Sequence, residues 1–123
     1  LGRDRILIVE DEPNIVESLR FILERAQFDV EVSSSGSDGL DRLRRQSFAA
    51  VILDIMLPGI NGLEVLKHIR DDHKIGSMPV LVLTAKGQAR DREAAEGLGA
   101  DAFITKPFSN AELVERVREI AGR

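Results

Sequence analysis

Four short apolar runs in this 123-residue chain are each followed by residues able to do chemistry. Glu10-Asp11-Glu12 follow Ile6-Leu7-Ile8-Val9, Asp54 follows Val51-Ile52-Leu53, Thr84 follows Val80-Leu81-Val82-Leu83, and Lys106 follows Phe103-Ile104-Thr105. If the first and third runs are neighbouring strands, Glu10, Asp11 and Asp54 converge. Carboxylates that close repel one another unless a cation or protons intervene. A hard divalent ion held by few carboxylates and several waters is the Mg²⁺ pattern. Thr84 and Lys106 add a hydroxyl and an ammonium on the other side of Asp54. A carboxylate flanked by a divalent cation, an ammonium and a hydroxyl is arranged to attack phosphorus and to hold the equatorial oxygens of a transferring group.

Whether these groups meet depends on the elements that carry them. Arg5 to Val9 is a β-branched run flanked by charge, too short for a helix, and reads as a strand buried on both faces. Ile15, Val16, Leu19, Ile22, Leu23 and Ala26 recur at three and four, predicting an amphipathic helix from Pro13 to Gln27. Val30 and Val32 alternate with polar residues across Asp29 to Ser33, an outer strand, and Leu40 and Leu43 mark a helix from Gly36 to Gln46. Ala49 to Leu53 is a central strand. Pro58-Gly59 and Asn61-Gly62 punctuate a loop before a third helix carrying Leu63, Leu66 and Ile69. Pro79 to Leu83 is a fourth strand that starts on a proline. Gln88 to Leu98 is a weaker helix with Ala94, Ala95 and Leu98 inside, and Asp101 to Thr105 a fifth strand. Ser109 caps the last helix, with Glu112 in capping-box position and Leu113, Val117 and Ile120 as its buried stripe.

The order is (βα)5. Helical crossovers imply an α/β fold with a five-stranded parallel sheet covered on both faces, doubly wound in the order 2-1-3-4-5. Ligands then sit beyond the carboxyl ends of the strands at the switch point between strands 1 and 3, where the chemistry-bearing residues fall.

Composition agrees with one domain spanning residues 1–123. Seventeen basic against 21 acidic side chains leave a charge of −4, and 43% of residues are apolar, so the chain is neither disordered nor a basic nucleic-acid binder. Trp and Tyr are absent and five Phe are scattered, which removes the stacking surface single strands need. With no Cys, disulfides and thiolate-bound zinc are excluded. No apolar run approaches the roughly 20 residues of a membrane span, and Leu1 to Asp4 lacks the apolar stretch of a signal peptide. The expectation is a cytoplasmic protein with no membrane partner and no nucleic-acid partner for this domain.

The motifs ILIVEDE (Ile6 to Glu12), VILDIMLPGINGLEVL (Val51 to Leu66), VLTA (Val82 to Ala85) and GADAFITKPF (Gly99 to Phe108) together resemble the CheY-like receiver domains of bacterial response regulators. The resemblance spans nearly the whole chain and implies a flavodoxin-like fold. It further implies that Asp54 accepts a phosphoryl group from a phosphohistidine on a sensor histidine kinase or phosphotransfer protein. Asp11, Asp54 and the backbone carbonyl of Met56 would bind Mg²⁺ directly, with Glu10 acting through water and Lys106 bridging to the phosphoryl oxygens. Thr84 and Phe103 would be the switch pair, and Lys106-Pro107 a cis peptide. Such a domain catalyses only its own phosphorylation and dephosphorylation. Leu1-Gly2 is not a natural start and the chain stops after its fifth helix, so a piece of a longer regulator with an unspecified output is expected.

Blander readings apply to several residues. Glu12 reads as helix N-terminal charge, Arg42 to Arg45 as a solvated helix face, and His68 and His73 lack partners at ligand spacing. Gly97 to Ala102 fits G-x-G-x-x-A but precedes a strand, so it is coincidental. Two rival functions remain. A phosphohydrolase resembling the haloacid dehalogenase superfamily needs Asp-x-Asp-x-Thr after the first strand, whereas here the acid follows the third and residue 56 is Met. A non-phosphorylated pseudo-receiver interaction module typically lacks part of the five-residue site, all of which is present. Arg92, Asp101, Glu112 and Arg116 resemble the charged dimer face, built on the fourth helix, fifth strand and fifth helix, of receivers linked to winged-helix DNA-binding domains. Ala102 stands where that subfamily usually has a second acid. Glu112 and Arg116, four apart with the acid first, could instead pair within their helix. A weak homodimer enhanced by phosphorylation is expected.

Overall fold

The alternating pattern resolves into β1 (Arg5–Val9), α1 (Pro13–Arg25), β2 (Asp29–Ser33), α2 (Gly36–Arg45), β3 (Ala50–Asp54), α3 (Gly62–Asp71), β4 (Val80–Ala85), α4 (Ala89–Gly97), β5 (Ala102–Lys106) and α5 (Asn110–Ile120). The computed structural model describes residues 3–57, 59–85 and 89–122; Pro58 and Gln88, read above as loop and helix start, lie outside them. All four strand pairings are parallel, in the order β2-β1-β3-β4-β5.

Period-two alternation divides the strand side chains between two cores. Leu7, Val9, Val51, Leu53, Val80 and Val82 face α2, α3 and α4 through Leu40, Leu43, Val65, Leu66, Ile69 and Ala95. Ile6, Ile8, Ile52, Leu81, Leu83 and Ile104 face α1 and α5 through Leu19, Leu23, Leu113 and Val117. Ile6 to Val9 of β1, Ala50 to Leu53 of β3 and Val80 to Leu83 of β4 are therefore apolar without interruption, because both faces of these strands are covered. β2 lies at the edge, and its Val30 and Val32 are half-buried. No helix among the described residues is long and apolar enough to cross a membrane.

Several boundaries differ from the sequence reading. α1 stops at Arg25, because Gln27 adopts a left-handed φ of 75° that no helix continues. Pro79 does not open β4; it has no N–H to give the ladder, although its carbonyl accepts from Val51 N–H at 2.9 Å. β3 and β5 each begin and end one residue later than expected, so Asp54 and Lys106 are the last residues of their strands and Thr84 lies inside β4. Ladder bonds thus hold these three candidate side chains. In α4 Ala94 is exposed and Ala95 buried; in α3 Val65, not Leu63, completes the buried stripe. Leu63 is half-buried beside the carboxyl edge of the sheet.

Candidate functional site at the carboxyl edge of the sheet

Val9 is in register with Leu53, which brings the residues that follow β1 beside the end of β3. Glu10 N–H donates to Ser33 O at 3.0 Å and Ile55 N–H to Leu83 O at 3.3 Å, so pairing continues past the ends of β1 and β3. Glu10, Asp11 and Asp54 each offer a carboxylate oxygen within 4.8 Å of the others. Glu10 and Asp54 are 1% and 3% exposed, whereas Asp11 faces solvent. One face of the acid cluster is thus dry and the other open.

Among the described residues, Lys106 is the cation that answers them. Lys106 Nζ lies 3.1 Å from Asp54 Oδ2 and 3.4 Å from Glu10 Oε1. Asp54 Oδ1 accepts the Met56 N–H at 3.0 Å, and Glu10 Oε2 accepts the N–H groups of Asp11 and Glu12 at 3.0 and 3.3 Å. The Glu10 carboxyl is raised to about 7. Burial is the main cause, followed by the hydrogen bond and charge of Asp54; Lys106 and the Glu12 N–H pull the other way. A buried oxygen set with more negative than positive charge suits a hard divalent cation such as Mg²⁺. Glu12, beyond the cluster, caps α1 by accepting the Ile15 N–H at 3.0 Å, as its reading as helix-end charge requires.

The loop after β3 folds back tightly. Gly62 N–H donates to Ile55 O at 3.0 Å, and a Cβ at Gly62 would run into Asp54 O and Ile55 Cα. Asn61 caps α3 by accepting the Glu64 N–H. Met56 stays 59% exposed at the rim.

Thr84 is 3% exposed and stands in register with Thr105 on β5, their hydroxyl oxygens 3.3 Å apart. In the sequence reading Thr105 is only the end of the fifth strand, with no part in the site. The signal was available: laying strand 5 beside strand 4 so that Lys106 meets the strand end puts Thr105 opposite Thr84. Phe103 is half-buried under the Arg92 guanidinium, whose carbon lies 5.0 Å from the ring centroid. Lys106-Pro107 is cis, as expected.

Arg92, Asp101, Glu112 and Arg116 line one surface hollow of about 470 Å³, floored by Ala102 and Phe103. Their pairings depart from the sequence reading. Arg116 does not pair with Glu112; its Nη1 lies 3.3 Å from both carboxylate oxygens of Glu119, three residues on and on the same helix face. The Asp101 carboxylate is held from within, by Arg70 at 2.9 Å and the Val80 N–H at 2.8 Å. Nor is Arg42 to Arg45 a purely solvated face: Leu43 is buried, Arg42 joins Glu31 and Asp38, and Arg44 joins Asp72.

The geometry has close relatives. The chain is 40% identical over 119 residues to a transcriptional regulatory protein, a CpxR homolog of Haemophilus influenzae, and 41% identical to the response regulator ArlR of Staphylococcus aureus. Each match covers 97% of this chain but 51% and 53% of the relative, so the chain spans about half their length. Among solved structures, a Chloroflexus aurantiacus protein assigned as a response regulator superposes with a TM-score of 0.95 at 34% identity, covering 99% of this chain and 100% of the other. The receiver domain of the Pseudomonas aeruginosa sensor histidine kinase PA1611 superposes at 0.91 with 27% identity, covering 99% and 100%; it holds a magnesium ion in its active-site cleft. Residues 6–118 match the response regulator receiver domain model, and the chain belongs to that family of two-component signalling domains.

Proposed function

We propose that Asp54 accepts a phosphoryl group from the phosphohistidine of a sensor kinase or phosphotransfer protein. The observation that carries this reading is Asp54 itself: a buried carboxylate at the end of β3, 3.1 Å from Lys106 and clustered with Glu10 and Asp11.

An Asp54 oxygen forms the new O–P bond as the donor's N–P bond breaks, and the imidazole nitrogen keeps the electron pair. Lys106 neutralises charge on the transferring oxygens, and the Met56 N–H orients the carboxylate. Asp11, Asp54 and the Met56 carbonyl would hold Mg²⁺. Glu10 would act through water, since its oxygens are engaged by two backbone N–H groups and Lys106. The bound ion supplies positive charge that lets an anionic nucleophile approach an anionic phosphoryl group. Water attacking the acyl phosphate later restores the carboxylate and releases phosphate.

Phosphorylation then draws the Thr84 hydroxyl toward Asp54, and Phe103 turns into the space vacated. That biases a two-state element whose readout is the α4-β5-α5 face, where a weak two-fold dimer forms or another domain docks. The setting is cytoplasmic signalling, with the output carried by a further domain or partner.

The test is intact mass after acetyl phosphate with Mg²⁺. One phosphate should be gained, and both chelation by EDTA and Asp54→Asn should abolish the gain. An equal gain in Asp54→Asn overturns the assignment. No gain in the wild type favours the non-phosphorylated interaction module, and continuous turnover of acetyl phosphate without a retained phosphate favours a phosphohydrolase.

A further inference from the structure

We infer that Thr105 is a positioning residue of the switch: its hydroxyl holds the Thr84 hydroxyl in the unphosphorylated arrangement and releases it when Asp54 is modified. The inference rests on the proposed phosphorylation of Asp54.

Thr84 Oγ1 is enclosed within the carboxyl edge of the sheet, in a residue 3% exposed. A buried hydroxyl needs a partner, and among the described residues Thr105 Oγ1 supplies it at 3.3 Å. The contact is weak by its length, since O–H···O bonds cluster at about 2.7–2.8 Å. Thr105 is nonetheless well placed. It pairs with Thr84 across the β4–β5 ladder and immediately precedes Lys106, whose ammonium lies on Asp54.

A phosphoryl oxygen on Asp54 changes the competition. Hydrogen bonds to an ionised acceptor are about twice as strong as neutral ones. The Thr84 hydroxyl therefore exchanges a long neutral bond for a charge-assisted one, and the contact with Thr105 opens. Before phosphorylation, Thr105 keeps Thr84 satisfied and opposes its movement. Thr105 thus sets how far the resting equilibrium lies from the signalling state without touching the reacting atoms. Removing its hydroxyl while preserving its shape favours the signalling state, because only the resting state loses a bond.

The experiment titrates the 123-residue chain with beryllofluoride and Mg²⁺, following the Thr84 and Phe103 amide resonances. Thr105→Val should lower the beryllofluoride midpoint roughly three- to tenfold, the range set by one neutral hydrogen bond. Thr105→Ser, which restores the hydroxyl, should return the midpoint to the wild-type value. In a Thr84→Ala background the Thr105→Val effect should vanish, which a general loosening of β5 would not produce. An unchanged or raised midpoint in Thr105→Val, with normal saturation of the wild type, overturns the role of Thr105 alone. A wild type that fails to saturate overturns the phosphorylation reading, and this inference with it.

Discussion

Asp101 is the residue on which the surface reading and the interior reading conflict most sharply. As part of a charged partner face it would be dispensable to the isolated fold. The structure instead places it in a knot centred on Arg70 of α3. Arg70 Nη1 donates to Gly76 O and Met78 O at 3.0 and 2.7 Å, Nε and Nη2 donate to Gly99 O at 3.1 and 2.7 Å, and Nη2 also reaches Asp101 at 2.9 Å. Asp101 Oδ2 also accepts the Val80 N–H at 2.8 Å, and Asp101 N–H donates back to Val80 O at 2.9 Å. The knot ties the loop before β4 to the loop before β5. Arg70 and Asp101 side chains are 20% and 44% exposed, so water replaces part of what a substitution removes. Arg70→Met, which keeps the stem, should therefore destabilise by about 2–4 kcal/mol, below the sum of its hydrogen bonds. Asp101→Ala should destabilise by about 1–3 kcal/mol, mostly through the orphaned Val80 N–H, because the exposed ion pair itself is worth at most about 1 kcal/mol. A domain of this size has an unfolding entropy near 0.26 kcal/mol/K, so 1 kcal/mol moves Tm by about 4 °C. Calorimetry should show Tm lowered by about 8–16 °C in Arg70→Met and about 4–12 °C in Asp101→Ala. The double variant should fall short of the sum because the two share partners. Arg70→Lys should rescue little, since an ammonium cannot reproduce the planar fork. A Tm change below about 2 °C in Asp101→Ala, with a changed oligomeric state, would return Asp101 to the partner face and refute the reasoning.

Three further outcomes are expected. Gly62→Ala should destabilise by about 1–3 kcal/mol and, by shifting the Asp54 backbone, slow acetyl-phosphate labelling roughly tenfold or more; unchanged labelling would show that the loop after β3 yields freely. Asp38 is held below its ordinary value of 3.8 chiefly by the Ser33 hydroxyl and then by Arg42, and Asp72 below 3.8 chiefly by the Lys74 N–H and then by Arg44. Both carboxylates bind protons less readily folded than unfolded, so their stabilisation is complete above 3.8 and fades as pH falls through the lowered folded values. Urea melts between pH 6 and 2 should show that loss, and Asp38→Asn should flatten it; an identical slope would remove Asp38 from the account. Sedimentation at high micromolar concentration should reveal a weak dimer that beryllofluoride strengthens and high salt weakens, since exposed pairs contribute about 0.2–1 kcal/mol each. A monomer throughout would leave the α4-β5-α5 face to a different partner.

The sheet and the residues at its carboxyl edge were legible because both are consequences of period. Uninterrupted apolar runs such as Val51 to Leu53 admit one environment, a strand covered on both faces, and helical crossovers between such strands leave few topologies. Once the order 2-1-3-4-5 is fixed, the residue at each strand end is assigned a place, which is why Glu10, Asp11, Asp54 and Lys106 arrive together, with Thr84 in register with Thr105 on the last two strands. Boundaries were less legible. Pro79 and Gln27 mark them through a missing N–H and a left-handed φ, features of single residues that a pattern averaged over several residues does not resolve.

What stayed hidden shares another cause. Arg70 acts on the carbonyls of Gly76, Met78 and Gly99, and a carbonyl belongs to every residue, so no side-chain type announces it. Thr105 and Asp101 act on groups of the adjacent strand, Thr84 and the Val80 N–H, each 21 residues away in sequence. Arg116 had two acids within helical reach, Glu112 before it and Glu119 after it, and spacing alone favoured the first. The contact of Arg116 Nη1 with Glu119 decides the matter, and it leaves the Glu112 carboxylate as an acid of the hollow that does not depend on Arg116 for its place. Asp101, by contrast, is tied to Arg70 and to the Val80 N–H. Of the four residues first assigned to the face, Arg92 and Glu112 are those whose substitution should alter association without a matching loss of fold stability.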